Sequence, residues 1–267
     1  MITRIISGTV LIAVAVAAVW LSPAWLFLLI GLAIVGLGCH ELSTLAHASR
    51  LTFPTTVATA AAMLVCASFS SALPGGAGVL PLDLVLMTAL VAAGALSLAS
   101  WQGGIDALSS ASVALLPCLY LGLPVGALVA IRESRGPEAL FLLMLTVIVS
   151  DSMQYFTGRA FGKRKLAERI SPKKTIEGAI GGFVFGTLLL AVVGAWWLPT
   201  VPVTVRVLLG VTLVALGIAG DLFESMLKRS AGVKDSSSLI PGHGGVLDRI
   251  DALLFAAPIY FVVLRHV

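Results

Sequence analysis

The sequence predicts an all-α polytopic membrane protein with about nine transmembrane helices and a cytoplasmic N-terminus. Composition is the first observation behind this. The chain is 58% hydrophobic and 11% charged, with a mean hydropathy of +1.05, whereas soluble domains carry about a quarter charged residues. The second is pattern. The apolar runs do not alternate with polar residues as barrel strands do, so they must satisfy their backbones as helices. The third is the distribution of charge. Residues 1–150 hold nine charged side chains and residues 151–251 hold twenty, twelve of them Lys or Arg.

Apolar runs of spanning length fall near 5–21, 25–45, 52–72, 83–100, 109–131, 138–157, 176–198, 203–223 and 251–265, most of them near the ~20 residues a bilayer requires. The first follows Met-Ile-Thr-Arg as a secretory leader would, but it exceeds the usual apolar region of one and further spans follow. It is therefore read as an uncleaved helix. Glu41 interrupts the second run, and Gly and Ser dilute the fourth. Ser22-Pro23, Pro74-Gly75-Gly76, Gly136-Pro137, Pro199 and Pro202 punctuate the chain. Nine crossings put loops 158–175 and 224–250, both rich in Lys and Arg, on the side of the N-terminus. The positive-inside rule makes that side cytoplasmic, and the charge-balanced segment 132–138 falls outside. The chain divides into a transmembrane scaffold, 1–150, and a C-terminal working region, 151–267.

Some function classes are excluded early. No long basic face exists for nucleic acid. Cys39, Cys66 and Cys118 lie far apart in apolar runs, which suits small buried hydrophobes and not a disulfide framework or metal spacing.

The polar residues of the working region form two clusters. Asp221, Glu224, Ser225 and Lys228 recur at helical spacing and share one face at the end of the eighth run. Asp248 and Asp251 share a face where the ninth begins. An antiparallel helix pair brings Asp221 near both. Carboxylates ~5 Å apart repel by ~3 kcal/mol at an effective dielectric of ~20, so the group calls for a cation. Hard oxygen ligands suit Mg²⁺. In the second cluster, Ser171-Pro172 reads as a helix N-cap with proline at the first helical position. Lys173, Lys174 and Thr175 then occupy the first turn, where an anion is favoured, and Glu177 follows. Lys163, Arg164 and Lys165 suit lipid headgroups. Asp151 and Tyr155 lie a turn apart near the sixth run's end. His243 sits among Gly242, Gly244 and Gly245, where a ligand can approach the backbone.

These residues carry a resemblance. Ser225-x-Leu-Lys228-Arg229, Lys234-Asp235, Pro241-x-His243-Gly244-Gly245 and Asp248-Arg249-x-Asp251 resemble the signature of the phosphatidate cytidylyltransferase (CDP-diacylglycerol synthase) family. Gly220-Asp221-Leu-x-Glu224 and the stretch Ser171 to Gly182 are similar to it too. Around Asp151 the match is looser, with Gln154 where a small residue is expected. The resemblance covers about 150–260.

It implies transfer of the cytidylyl group of CTP to phosphatidic acid, giving CDP-diacylglycerol and pyrophosphate, with Mg²⁺ and room for a second cation. It implies metal binding by Asp221, Asp248 and Asp251, with Lys228 and Arg229 beside them as catalytic residues. Lys173, Lys174, Thr175, Glu177, Ser225, Lys234, Asp235, His243, Gly244, Gly245 and Arg249 are expected to contact substrate. Membrane lipids are the other expected partners, and a homodimer is left open. The expected setting is the inner membrane, with the site facing the cytoplasm. The rival readings are a polyprenol-type lipid kinase or phosphotransferase, an ion-coupled transporter using Asp151 and Asp221, and a structural scaffold.

Overall fold

The computed structural model describes residues 2–51, 54–73, 79–101, 103 and 107–267. The helices are α1 (Ile2–Leu21), α2 (Ala24–Ala48), α3 (Thr55–Ala67), α4 (Leu82–Ser100), α5 (Ala107–Pro117), α6 (Leu123–Phe161), α7 (Ile176–Trp197), α8 (Val203–Ser230) and α9 (Leu247–His266). A π-helical segment, Cys118–Gly122, joins α5 to α6. Strands β1 (Lys165–Ala167) and β2 (Ser171–Thr175) form an antiparallel hairpin. Among the described residues, five helical stretches are long and apolar enough to cross a membrane: Ala24–Ala48, Leu82–Ala99, Ala107–Phe161, Ile176–Trp197 and Val203–Ser230.

Several boundaries differ from the sequence expectation. The run 52–72 yields a helix of only 13 residues, because turns at Ser68 and Phe69 end it. Pro74-Gly75-Gly76 lies outside the described residues. The fifth and sixth runs are one helical stretch broken at Gly136, whose φ of 84° and ψ of 172° leave helical space just before Pro137. The chain stays helical up to and beyond this break, so the expected connection at 132–138 is a sharp break at Gly136 and not an extended loop. The loop expected at 224–250 shrinks to 231–246, since α8 continues through Ser230. Gly232 (φ 72°) ends that helix, its N–H bonded to the Arg229 carbonyl and that of Val233 to Lys228. In the same way α6 runs on to Phe161, into the expected loop 158–175.

The charges around the kink tie helix ends together. Arg132 donates to the carbonyls of Val19 and Ser22 at the end of α1, at 2.8 and 2.7 Å. Arg135 donates to the Leu264 carbonyl at the end of α9. Glu133 accepts from Ser70 and Ser71 beyond α3. Cations at helix C-termini complement the dipole. This pole thus gathers the C-terminal ends of α1, α3 and α9. At the other pole, Ser7 of α1 touches His243, Glu41 of α2 meets the start of α9, and Asp221 of α8 meets Lys174 of β2. The core between the poles holds Leu121, Ile131, Leu140, Leu142, Leu213, Leu254 and Tyr260, all essentially solvent-free.

Candidate active site

The site is assembled at the second pole from β2, the start of α7, the end of α8, the 231–246 loop and the first turns of α9. Its first part corrects the sequence reading. Ser171-Pro172 does not cap a helix. Ser171–Thr175 is a strand paired with Lys165–Ala167, Ala167 facing Ser171 and Lys165 facing Thr175. The cap of α7 is Thr175, whose Oγ1 accepts from the Gly178 N–H at 3.1 Å. Glu177 accepts from the Lys163 and Arg164 N–H groups at 3.0 and 3.2 Å. Both residues thereby fix the hairpin to the helix. Lys173 is in solvent, whereas Lys174 turns inward, its side chain 19% exposed.

Lys174 Nζ lies 2.6 Å from Asp221 Oδ2, close enough for an ion pair but out of hydrogen-bond alignment. Asp221 Oδ1 accepts from Ser225 Oγ at 3.3 Å. Asp251 and Asp151 stand near enough to Asp221 to repel it electrostatically. Gly220 makes this approach possible, because a Cβ there would sit 2.5 Å from the Asp251 carbonyl oxygen.

One turn further along α8, Glu224 and Lys228 face α9. Lys228 Nζ donates to Glu224 Oε2 at 2.6 Å and to Asp248 Oδ1 at 2.5 Å, with the three side chains 10%, 0% and 5% exposed. Asp248 Oδ2 accepts from the Ser236 and Gly245 N–H groups and from Ser236 Oγ, at 2.8–2.9 Å. The helical spacing therefore forms the expected shared face, but it divides into two functional halves. Asp221, bonded by Ser225, meets Lys174, while Lys228, bonded to Glu224, meets Asp248.

The remaining candidates surround these pairs. Arg229 donates to the carbonyls of Ile170, in the hairpin turn, and Val233. His243 Nδ1 lies 2.9 Å from Ser7 Oγ, held in a turn with positive φ at Gly242 and Gly244. Lys234, Asp235 and Arg249 project into solvent. Two residues of the site escaped sequence reasoning. Glu41 of α2 accepts from Ser236, Ser237, Val246 and Leu247, and Ser236 links it to Asp248. The available signal was Glu41 itself, a lone acid in an apolar run.

Among the described residues, no three His, Cys, Asp or Glu side chains gather tightly enough to hold a metal as they stand. Asp221 and Asp248 instead each grip a lysine ammonium. Three buried polar atoms at this pole lack an aligned partner, Lys174 Nζ, Glu224 Oε1 and Tyr120 Oη. Such orphans are expected where a ligand completes the site.

Fold and site together define a bundle of apolar helices with a cluster of cations and carboxylates at one pole. The model of the cytidylyltransferase family matches residues 2–267, and the chain belongs to that family. It is 38% identical over 267 residues to a phosphatidate cytidylyltransferase of Pseudomonas aeruginosa, covering 98% of this chain and 96% of that one. It is 35% identical over 190 residues to the phosphatidate cytidylyltransferase of Thermotoga maritima, 69% of each chain. With the enzyme of that name from Haemophilus influenzae it shares 49% identity over 138 residues, 48% of each chain.

Proposed function

We infer that the chain transfers the cytidylyl group of CTP to phosphatidic acid, giving CDP-diacylglycerol and pyrophosphate. A phosphate oxygen of the lipid attacks the α-phosphorus of CTP. The bond to the β-phosphate oxygen breaks, and pyrophosphate leaves with that electron pair. The attacking oxygen is already anionic, so no general base is needed. Catalysis then consists of positioning and charge neutralisation. The single observation that carries this reading is Lys174, an inward-turned ammonium with no aligned acceptor, beside Asp221.

Lys173, Lys174, Arg229, Lys234 and Arg249 share the phosphates of the two substrates. Lys228, already engaged twice, holds Asp248 in place. Ser225, Asp235, His243, Gly244 and Gly245 border the substrates, and Thr175 and Glu177 set the hairpin over them. Asp221, Asp248 and Asp251 would hold Mg²⁺, whose preference is for hard carboxylate oxygens, and two of them, Asp221 and Asp248, already grip a cation in the form of a lysine ammonium. To hold Mg²⁺, at least one of Asp221 and Asp248 would have to give up its lysine. When bound, Mg²⁺ would supply charge neutralisation on the triphosphate. The chain crosses the inner membrane nine times, with its N-terminus and this pole cytoplasmic. CTP enters from water and the lipid from the side.

The test is Mg²⁺-dependent pyrophosphate release from CTP by the detergent-purified chain, with and without phosphatidic acid. CTP labelled at the α-phosphate should leave its label in the lipid. Label transferred from the γ-phosphate instead would make the protein a lipid kinase.

A further inference from the structure

We infer that Glu41, in the scaffold half, is a positioning residue that holds the 236–247 segment and sets Asp248 against Lys228. This inference rests on the reading above. Glu41 is 2% exposed and sits near the end of α2. Its carboxylate takes four donors from a segment some 200 residues away in sequence: Ser236 Oγ at 2.9 Å, Ser237 Oγ at 2.7 Å, and the N–H groups of Val246 and Leu247, each at 2.9 Å.

Two of those donors are the free N–H groups at the start of α9. That helix has no side-chain cap of its own, since Val246 stands at the cap position. Glu41 supplies the cap from another helix, and its negative charge complements the dipole there. Gly245 lies beneath the carboxylate, where any Cβ would run into Glu41 and Ser236 Oγ. This glycine is therefore needed for close approach.

The link to the reacting end runs through one hydroxyl. Ser236 Oγ stands 2.9 Å from Glu41 Oε2 and 2.8 Å from Asp248 Oδ2. It has one proton, so it bonds one carboxylate at a time and ties their positions together. Asp248 in turn grips Lys228. Ser237 binds Glu41 but has no such connection onward. Glutamine at position 41 would point an N–H₂ group at donors, breaking the cluster with little change in volume.

The experiment measures kcat and KM of Glu41→Gln, Ser236→Ala, Ser237→Ala and the double variant Glu41→Gln/Ser236→Ala. Tryptic cleavage after the exposed Lys234 is followed in parallel. Glu41→Gln should lower kcat by about tenfold or more, the scale of a small misplacement of reacting groups, with KM for CTP little changed. Ser236→Ala should lose a similar factor, the double variant no more than either, and Ser237→Ala should keep wild-type kcat. Glu41→Gln should also be cleaved faster at Lys234. Additive losses, equal effects of the two serines, or wild-type kcat in Glu41→Gln would overturn the proposal. The cleavage assay needs no turnover, so unchanged cleavage overturns it even if the activity reading fails. If Glu41→Gln does not fold, the contrast between the two serines decides.

Discussion

Lys174 and Lys228 each sit within 2.6 Å of an aspartate, yet burial gives them different work. The Lys174–Asp221 pair is 19% and 29% exposed at its side chains, so water screens it and it contributes at most ~1 kcal/mol to stability. Lys174→Ala should therefore leave the thermal midpoint in detergent nearly unchanged. Turnover should fall ~10²–10³-fold, as when one preorganised charge is removed from a transition state. A loss of fold without a specific loss of turnover would contradict this assignment. Lys228 lies between Glu224 and Asp248 with almost no solvent. Its removal strands two buried carboxylates, a change that costs ~3–5 kcal/mol. Lys228→Ala should thus lower the thermal midpoint clearly, and equal melting of the two alanine variants would refute the distinction. The sequence shows both lysines and both aspartates, because i, i+3 and i+4 spacing is local. It does not show which acid each lysine takes, because that choice depends on how α8 is rotated against β2 and α9. Glu41 is illegible for the same reason. Its partners are about 200 positions away, so within its own run it reads only as an interruption.

At the level of elements, α8 and α9 pack through glycines whose demands differ. A Cβ on Gly220 would press on the Asp251 carbonyl oxygen at 2.5 Å, whereas one on Gly217, a turn earlier, would touch the Ala252 Cβ at an ordinary 3.6 Å. Gly220→Ala should push α9 away where Asp251 approaches Asp221. Overpacking of this kind costs ~1–3 kcal/mol and should lower turnover well before it unfolds the bundle. Gly217→Ala should be tolerated. Pyrophosphate release by the two variants, side by side, checks this, and equal losses would mean that the approach of α9 is not what matters. The long apolar helices are legible because hydrophobic length is a direct physical requirement of lipid. The β1–β2 hairpin is not. Ser171-Pro172 satisfies the rules for a helix start, but Pro172 is equally at home in an edge strand. Pairing with Lys165–Ala167 and the Thr175 cap decide the matter, and neither is visible in a cap motif alone.

Across the whole molecule, polar chemistry collects at one pole and helix-end anchoring at the other. Arg132, Glu133 and Arg135 all serve as ties to helix or turn backbone and hydroxyls, while the candidate site lies where α1 and α9 begin. Placing the first pole outside and the second inside agrees with the Lys- and Arg-rich segments around β1–β2 and after α8. It also has a measurable consequence for the whole chain. Cys39, Cys66 and Cys118 are buried, and replacing them with alanine or serine provides a background for single reporter cysteines. Lys234→Cys marks the exposed loop between α8 and α9, and Val267→Cys marks the exposed end beyond α9. In sealed inverted inner-membrane vesicles, a membrane-impermeant maleimide should label the Lys234 reporter and spare the Val267 reporter. In spheroplasts the pattern should reverse. Labelling of both reporters from one side would show that α9 does not cross, and the assignment of nine crossings would fall with it.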